Sequence, residues 1–134
     1  MASIEAALTA AVTGDATLAG LLGTRFFLIG SKQGVAYPYA TYQRISTAGA
    51  AYLDGDANLE WPRFQIDVWA KTALEALNIA ESIRSFLCPT PTVEITGAGI
   101  SFTASFQDQR GPTLDDESRN FGVSQDYYLT YERT

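Results

Sequence analysis

Apolar and polar residues alternate most cleanly between Leu59 and Ala70. Phe64, Ile66, Val68 and Ala70 fall on one side, and Arg63, Gln65 and Asp67 on the other. That period of two predicts a strand with one buried face. Trp61 and Trp69 share the polar side. A large aromatic there needs a cover, either a loop of the same chain or a neighbouring subunit. The alternation returns in Ile100–Phe106, where Ile100, Phe102, Ala104 and Phe106 interleave with Ser101, Thr103 and Ser105. It returns again in the closing segment Phe121–Tyr131, with Phe121, Val123, Tyr127, Leu129 and Tyr131 on one face. Shorter β-rich runs at Arg25–Ile29, Tyr37–Ser46 and Val93–Ile95 predict further strands. Pro38 sits near the start of its run, where a missing N–H is tolerated.

A helical period takes over at Thr72–Leu87, where Leu74, Leu77, Ala80, Ile83 and Leu87 form one stripe. Thr72 and Glu75 make a capping-box pattern at its start, and Pro89 and Pro91 stop it. Residues 3–13 predict a second helix, capped by Ser3 and ended by Gly14. A short helical turn follows from Asp15, burying Leu18, Leu21 and Leu22. The connections 47–58 and 108–120 carry turn and polar residues and predict two long loops, which tend to be functional in so small a domain. The expected fold is α+β: an antiparallel or mixed β-sheet with one long helix and the N-terminal helices packed on one face. With 134 residues and no internal repeat, the chain is expected to be one domain, 1–134.

Charge narrows the function. Fifteen acids against nine bases give a formal net charge of −6, and the bases form no cluster. That balance argues against a duplex binder, which must neutralise phosphates. The first basic residue is Arg25, so a secretory leader is not expected, and no apolar run reaches the length of a membrane span. The single cysteine, Cys88, excludes an intrachain disulfide and suits a small apolar role at a helix end.

Chemistry is sparse. With no histidine, neither Ser-His-Asp nor Cys-His catalysis can be built. One cysteine without histidine disfavours zinc. Asp54-Gly55-Asp56 lacks the rest of a calcium loop and is a turn. Asp115, Asp116 and Glu117 lie together in a polar stretch with no apolar neighbour to raise a pKa, so a solvated loop or a contact to a basic neighbour is expected. Gly97-Ala98-Gly99 fails as a dinucleotide fingerprint because Phe102 stands where a glycine is needed. No enzyme, cofactor or metal is expected.

Several stretches together resemble the tail completion, or tail terminator, family of long-tailed phages and gene transfer agents. They are Leu18–Arg25 followed by an aromatic strand, Tyr37-Pro38-Tyr39 leading into Tyr42–Ser46, and Leu53-Asp54-Gly55. Next comes Arg63–Ala70 running into a helix with Glu75-Ala76 and Ala80–Arg84, and last Ser124–Tyr128. The early strand departs from the family in beginning Arg25-Phe26-Phe27-Leu28, before a loop with Ser31-Lys32-Gln33. The resemblance implies a structural virion protein at the neck, assembled in the host cytoplasm. It implies a homo-oligomeric ring, commonly a hexamer, on the head-proximal end of the tail tube. Such a ring ends tube growth, joins tail to head and passes DNA through its lumen as cargo. The implied partners are copies of itself, the major tail tube protein and a head-completion (stopper) protein. Trp61, Trp69 and Tyr128 are the expected subunit anchors. Tyr52, Leu53, Asp54, Asp115, Asp116 and Glu117 are the expected ring-to-ring contacts. A head-side connector of the same particle is the alternative, and a module with a small-molecule pocket between helix and sheet is a more distant one.

Overall fold

Among the described residues, three helices and seven strands follow in the order α1 (Ile4–Gly14), α2 (Ala16–Leu22), β1 (Phe26–Leu28), β2 (Tyr39–Ser46), β3 (Leu59–Glu60), β4 (Arg63–Ala70), α3 (Ala73–Leu87), β5 (Ile95–Gly97), β6 (Ile100–Leu114) and β7 (Phe121–Glu132). The computed structural model describes residues 3–30, 34–47, 59–115, 117 and 119–132.

The strands form a single sheet in the order β1-β2-β4-β7-β6-β5, with β3 also paired to β7. β1 runs parallel to β2 and every other pairing is antiparallel, so the sheet is mixed. The expected strand Leu59–Ala70 is one line of chain with a break. β3 and β4 keep the same register against β7, with Glu60 opposite Tyr131 and Arg63 opposite Tyr128. Trp61-Pro62 interrupts the ladder because proline has no N–H to give. Its carbonyl still accepts from Leu129 N at 3.0 Å.

The helices cover one face of the sheet, as expected. α1 is capped by Ser3, whose hydroxyl accepts from Ala6 N at 3.1 Å. Asp15 ends α1 and caps α2, its carboxylate accepting from Leu18 N at 3.1 Å. Thr72 caps α3 through Glu75 N at 3.1 Å. Tyr42 of β2 ties the sheet to α1, with its hydroxyl against Thr9 Oγ1 at 2.6 Å and donating to Glu5 O at 3.0 Å. α1 also lies so close to β5 that a Cβ on Gly97 would sit 2.3 Å from Ala7 O.

Several expectations are corrected: Leu21 is only partly buried, and the strand read at Val93–Ile95 lies at Ile95–Gly97. The buried stripe of α3 is Ala76, Ile79, Ala80, Ile83 and Leu87, while Leu74 is 67% exposed and Leu77 only partly buried. The helix is turned so that small Ala76 and Ala80 meet the sheet, which leaves Leu74 outside. The first part of the stretch 108–120 is not a loop, because β6 continues to Leu114 and pairs with β7 as far as Phe121, which leaves only the hairpin connection between them. This part of β6 is exposed, so its sequence carries no apolar alternation to mark it as a strand.

Candidate functional site

Among the described residues, one face of the sheet carries no helix. Strand alternation places Arg63, Gln65, Asp67 and Trp69 of β4 on it, beside Tyr128, Asp126, Ser124 and Gly122 of β7 in register. β2 adds Tyr39, Thr41 and Gln43, and β6 adds Asp108 and Arg110.

Its middle is charged. Asp126 is only 3% exposed although no helix covers it, because two guanidinium groups close over it. Arg63 Nη2 donates to Oδ2 at 2.7 Å, and Arg110 donates to Oδ2 at 3.0 Å and Oδ1 at 3.2 Å. Burial pushes the Asp126 carboxyl up, but the bonds from Arg110 and Arg63 outweigh it, and the group ends below the ordinary aspartate range. The same bonds raise both arginines further above their usual value. Arg110 Nη1 also reaches Asp108 at 2.8 Å, so it bridges two carboxylates that stand opposite each other across the strands. Beside them, Asp67 accepts from Gln65 Nε2 at 3.1 Å and from the Ser124 hydroxyl.

One end of the face is aromatic. Phe27 and Tyr39 stack at 6.0 Å between centroids, and Tyr37 leans on Tyr39 at 5.2 Å. Trp69 stands between Tyr39 and Gly122 in the cross-strand row. Its ring fills the space that a side chain at residue 122 would take. The backbone of β7 at Gly122 thus lies against the indole, and Trp69 is half-buried. Grooves flank it: one is lined by Asp67, Arg110, Leu114 and Asp115, the other by Phe27, Ile29, Val35 and Tyr39. Ile29 and Leu114 are exposed on these rims.

This arrangement pairs charges and stacks rings. It does not poise a nucleophile or a base, and the described residues contain no cluster of acids or Cys able to hold a metal. Burial raises the Cys88 thiol above its usual value, and its sulfur donates to Ala104 O at 3.4 Å, which fits a packing role at the end of α3.

The sequence over residues 6–132 matches the family described as tail completion protein gp17. The chain belongs to this family. It is thus related to structural tail proteins rather than to a class of enzymes. Among solved structures, a chain of the "Virion of native gene transfer agent (GTA) particle" has the same fold, with a TM-score of 0.72 at 18% identity, covering 99% of this chain and 100% of that one. No curated protein matches the sequence.

Of the expected anchors in this tail completion family member, Trp69 and Tyr128 lie on the helix-free face and Trp61 at the break between β3 and β4, all half-buried. Asp115 and Glu117 lie at the tip of the β6–β7 hairpin. Asp115 is half-buried, with its N–H on Asn120 O and its carbonyl taking Arg119 N, each at 2.8 Å, while Glu117 is exposed. Tyr52, Leu53, Asp54 and Asp116 lie outside the described residues, as does the 48–58 part of the first expected loop. Sequence reasoning assigned no role to Asp126, Arg110 or Gln125. The available signal was the pair Gln125-Asp126, polar residues set in the middle of an apolar strand.

Proposed function

We propose that this chain is a ring-forming subunit at the head-proximal end of a tail tube, where the ring ends tube growth and joins tail to head. The observation that carries this reading is the family match, which spans residues 6–132. The likeness of fold to a chain of a gene transfer agent virion supports a place in such a particle. Its partners would be identical copies, the major tail tube protein and a head-completion protein, and its station the neck of the virion.

The surface suits such work. A closed ring needs two different patches that meet head to tail, and the helix-free face supplies one. Trp69, Trp61 and Tyr128 would be its anchors, because aromatic side chains dominate interface energetics. Asp115, Glu117 and their neighbours at the hairpin tip, together with Tyr52, Leu53 and Asp54, would meet the rings above and below. DNA would pass as cargo. Arg44 is engaged by Glu5, Arg63 and Arg110 by Asp126, and Arg84 by the Phe106 ring. With these bases engaged and a net charge of −6, the chain as a whole is poorly suited to grip phosphates.

The test is the solution mass of the purified chain by light scattering across a concentration series, followed by imaging with purified tail tubes. Ring-sized particles, or decoration of one tube end only, are expected. A monomer that leaves both ends bare would overturn the reading, and binding to head connectors alone would move the chain to the head side of the neck.

A further inference from the structure

β6 changes register against β7 twice, first between Phe106 and Asp108 and again between Arg110 and Thr113. Up to Phe106 its pairing is regular, with Phe102, Ala104 and Phe106 opposite Tyr131, Leu129 and Tyr127 on the core face. Beyond it, Asp108 rather than Gln107 stands opposite Asp126, Gln109 opposite Gln125 and Arg110 opposite Ser124. Gln107 is the surplus residue of a bulge. Without the bulge, Gln107 would face Asp126, and Asp108, Gln109 and Arg110 would each move to the other face. Asp108 and Arg110 would then turn toward the helices. A bulge breaks the ladder locally, so the backbone alone gives no reason for this register.

The side chains do. Gln125 and Asp126 are adjacent and project to opposite faces, and each holds a residue of β6 just past the bulge. On the core side Gln125 is 0% exposed. Its Nε2 donates to Gln109 Oε1 and to Ala80 O of α3, both at 2.9 Å, and its Oε1 accepts from the Tyr127 hydroxyl at 3.0 Å. On the open side Asp126 accepts both Arg110 contacts, and Arg110 relieves the apposition of Asp108 and Asp126. Neither pair can form in the straight register, where Gln109 and Arg110 exchange faces.

We infer that Gln125 and Asp126 form a two-sided register lock, which selects the first bulged pairing of β6 and so fixes which faces Asp108, Gln109 and Arg110 present to their surroundings. The lock is independent of whether the chain forms rings.

Nuclear magnetic resonance on the full chain tests it. In the native protein, cross-strand contacts should link residue 108 with 126 and 110 with 124. In the double variant Gln125→Leu, Asp126→Asn these contacts should vanish or give way to 107 with 126 and 109 with 124. Amide exchange over 108–114 should rise about tenfold, as for a segment opening by itself, while the pairs from Phe102–Tyr131 to Phe106–Tyr127 persist. An unchanged contact pattern with unchanged exchange in the arm overturns the lock. If the double variant does not fold, Gln109→Ala with Arg110→Ala, both on the exposed arm, removes the same contacts without emptying the core. The same loss of register contacts is then expected, and their retention again overturns the lock.

Discussion

The ring of Trp69 occupies the place of a side chain at Gly122: a Cβ on that glycine would lie 2.8 Å from Cζ3 of the indole. The two residues are direct cross-strand partners. Trp69→Ala should therefore cost only about 1 kcal/mol, the scale of a cross-strand aromatic pair, and leave a folded monomer that assembles poorly. Thermal unfolding and light scattering check both halves, and a chain that unfolds outright would make Trp69 part of the core. Gly122→Ala should push the indole aside at a cost of about 1–3 kcal/mol, visible as a shifted Trp69 emission in a Trp61→Phe background.

Gly97→Ala should be harsher. The new methyl would meet a backbone carbonyl, Ala7 O, which cannot turn away as a side chain can. α1 and β5 would have to separate, and a loss of about 3 kcal/mol, at the upper end of overpacking costs, is expected in urea unfolding.

Acid should act through Asp126. Its carboxyl is held below the ordinary range, so folding favours the charged form. The stabilisation is complete above the usual aspartate value of about 3.9 and fades as pH falls through the lowered folded value. Asp126→Asn should lower stability at neutral pH and flatten the acid limb of the curve. Melting temperatures across an acid pH series measure this, and an unchanged acid limb would mean that the carboxylate is not held by Arg63 and Arg110.

Arg84 lies over the Phe106 ring, 3.8 Å from its centroid, and joins α3 to β6. Phe106→Leu keeps an apolar side chain but removes the ring face, and should cost about 0.5–1 kcal/mol through the lost cation contact. In a double-mutant cycle with Arg84→Ala, a coupling energy near zero would show that the contact contributes nothing.

Legibility in the sequence followed the core. Phe64, Ile66, Val68 and Ala70 alternate because one face of β4 is buried, and all four are buried as expected. The caps at Ser3, Asp15 and Thr72 were readable because each is a local contact within three residues. The second half of β6 was not readable, since neither side of Asp108–Leu114 enters the core and no hydrophobic period marks it. Leu74 misled because helical spacing gives a stripe but not its rotation toward the sheet. The Asp126 cluster was hidden for a different reason: Arg63, Arg110 and Asp126 are far apart in sequence and meet only through the order of β4, β7 and β6.

The unbroken register of β3 and β4 gives β7 a neighbour on both sides for most of its length. Tension applied along β7 would have to slide it past two hydrogen-bonded ladders at once, loading many bonds in parallel instead of opening them one by one. The strand is therefore built as a tie-rod, and the bond from Leu129 N to Pro62 O carries the load across the interruption at Trp61-Pro62.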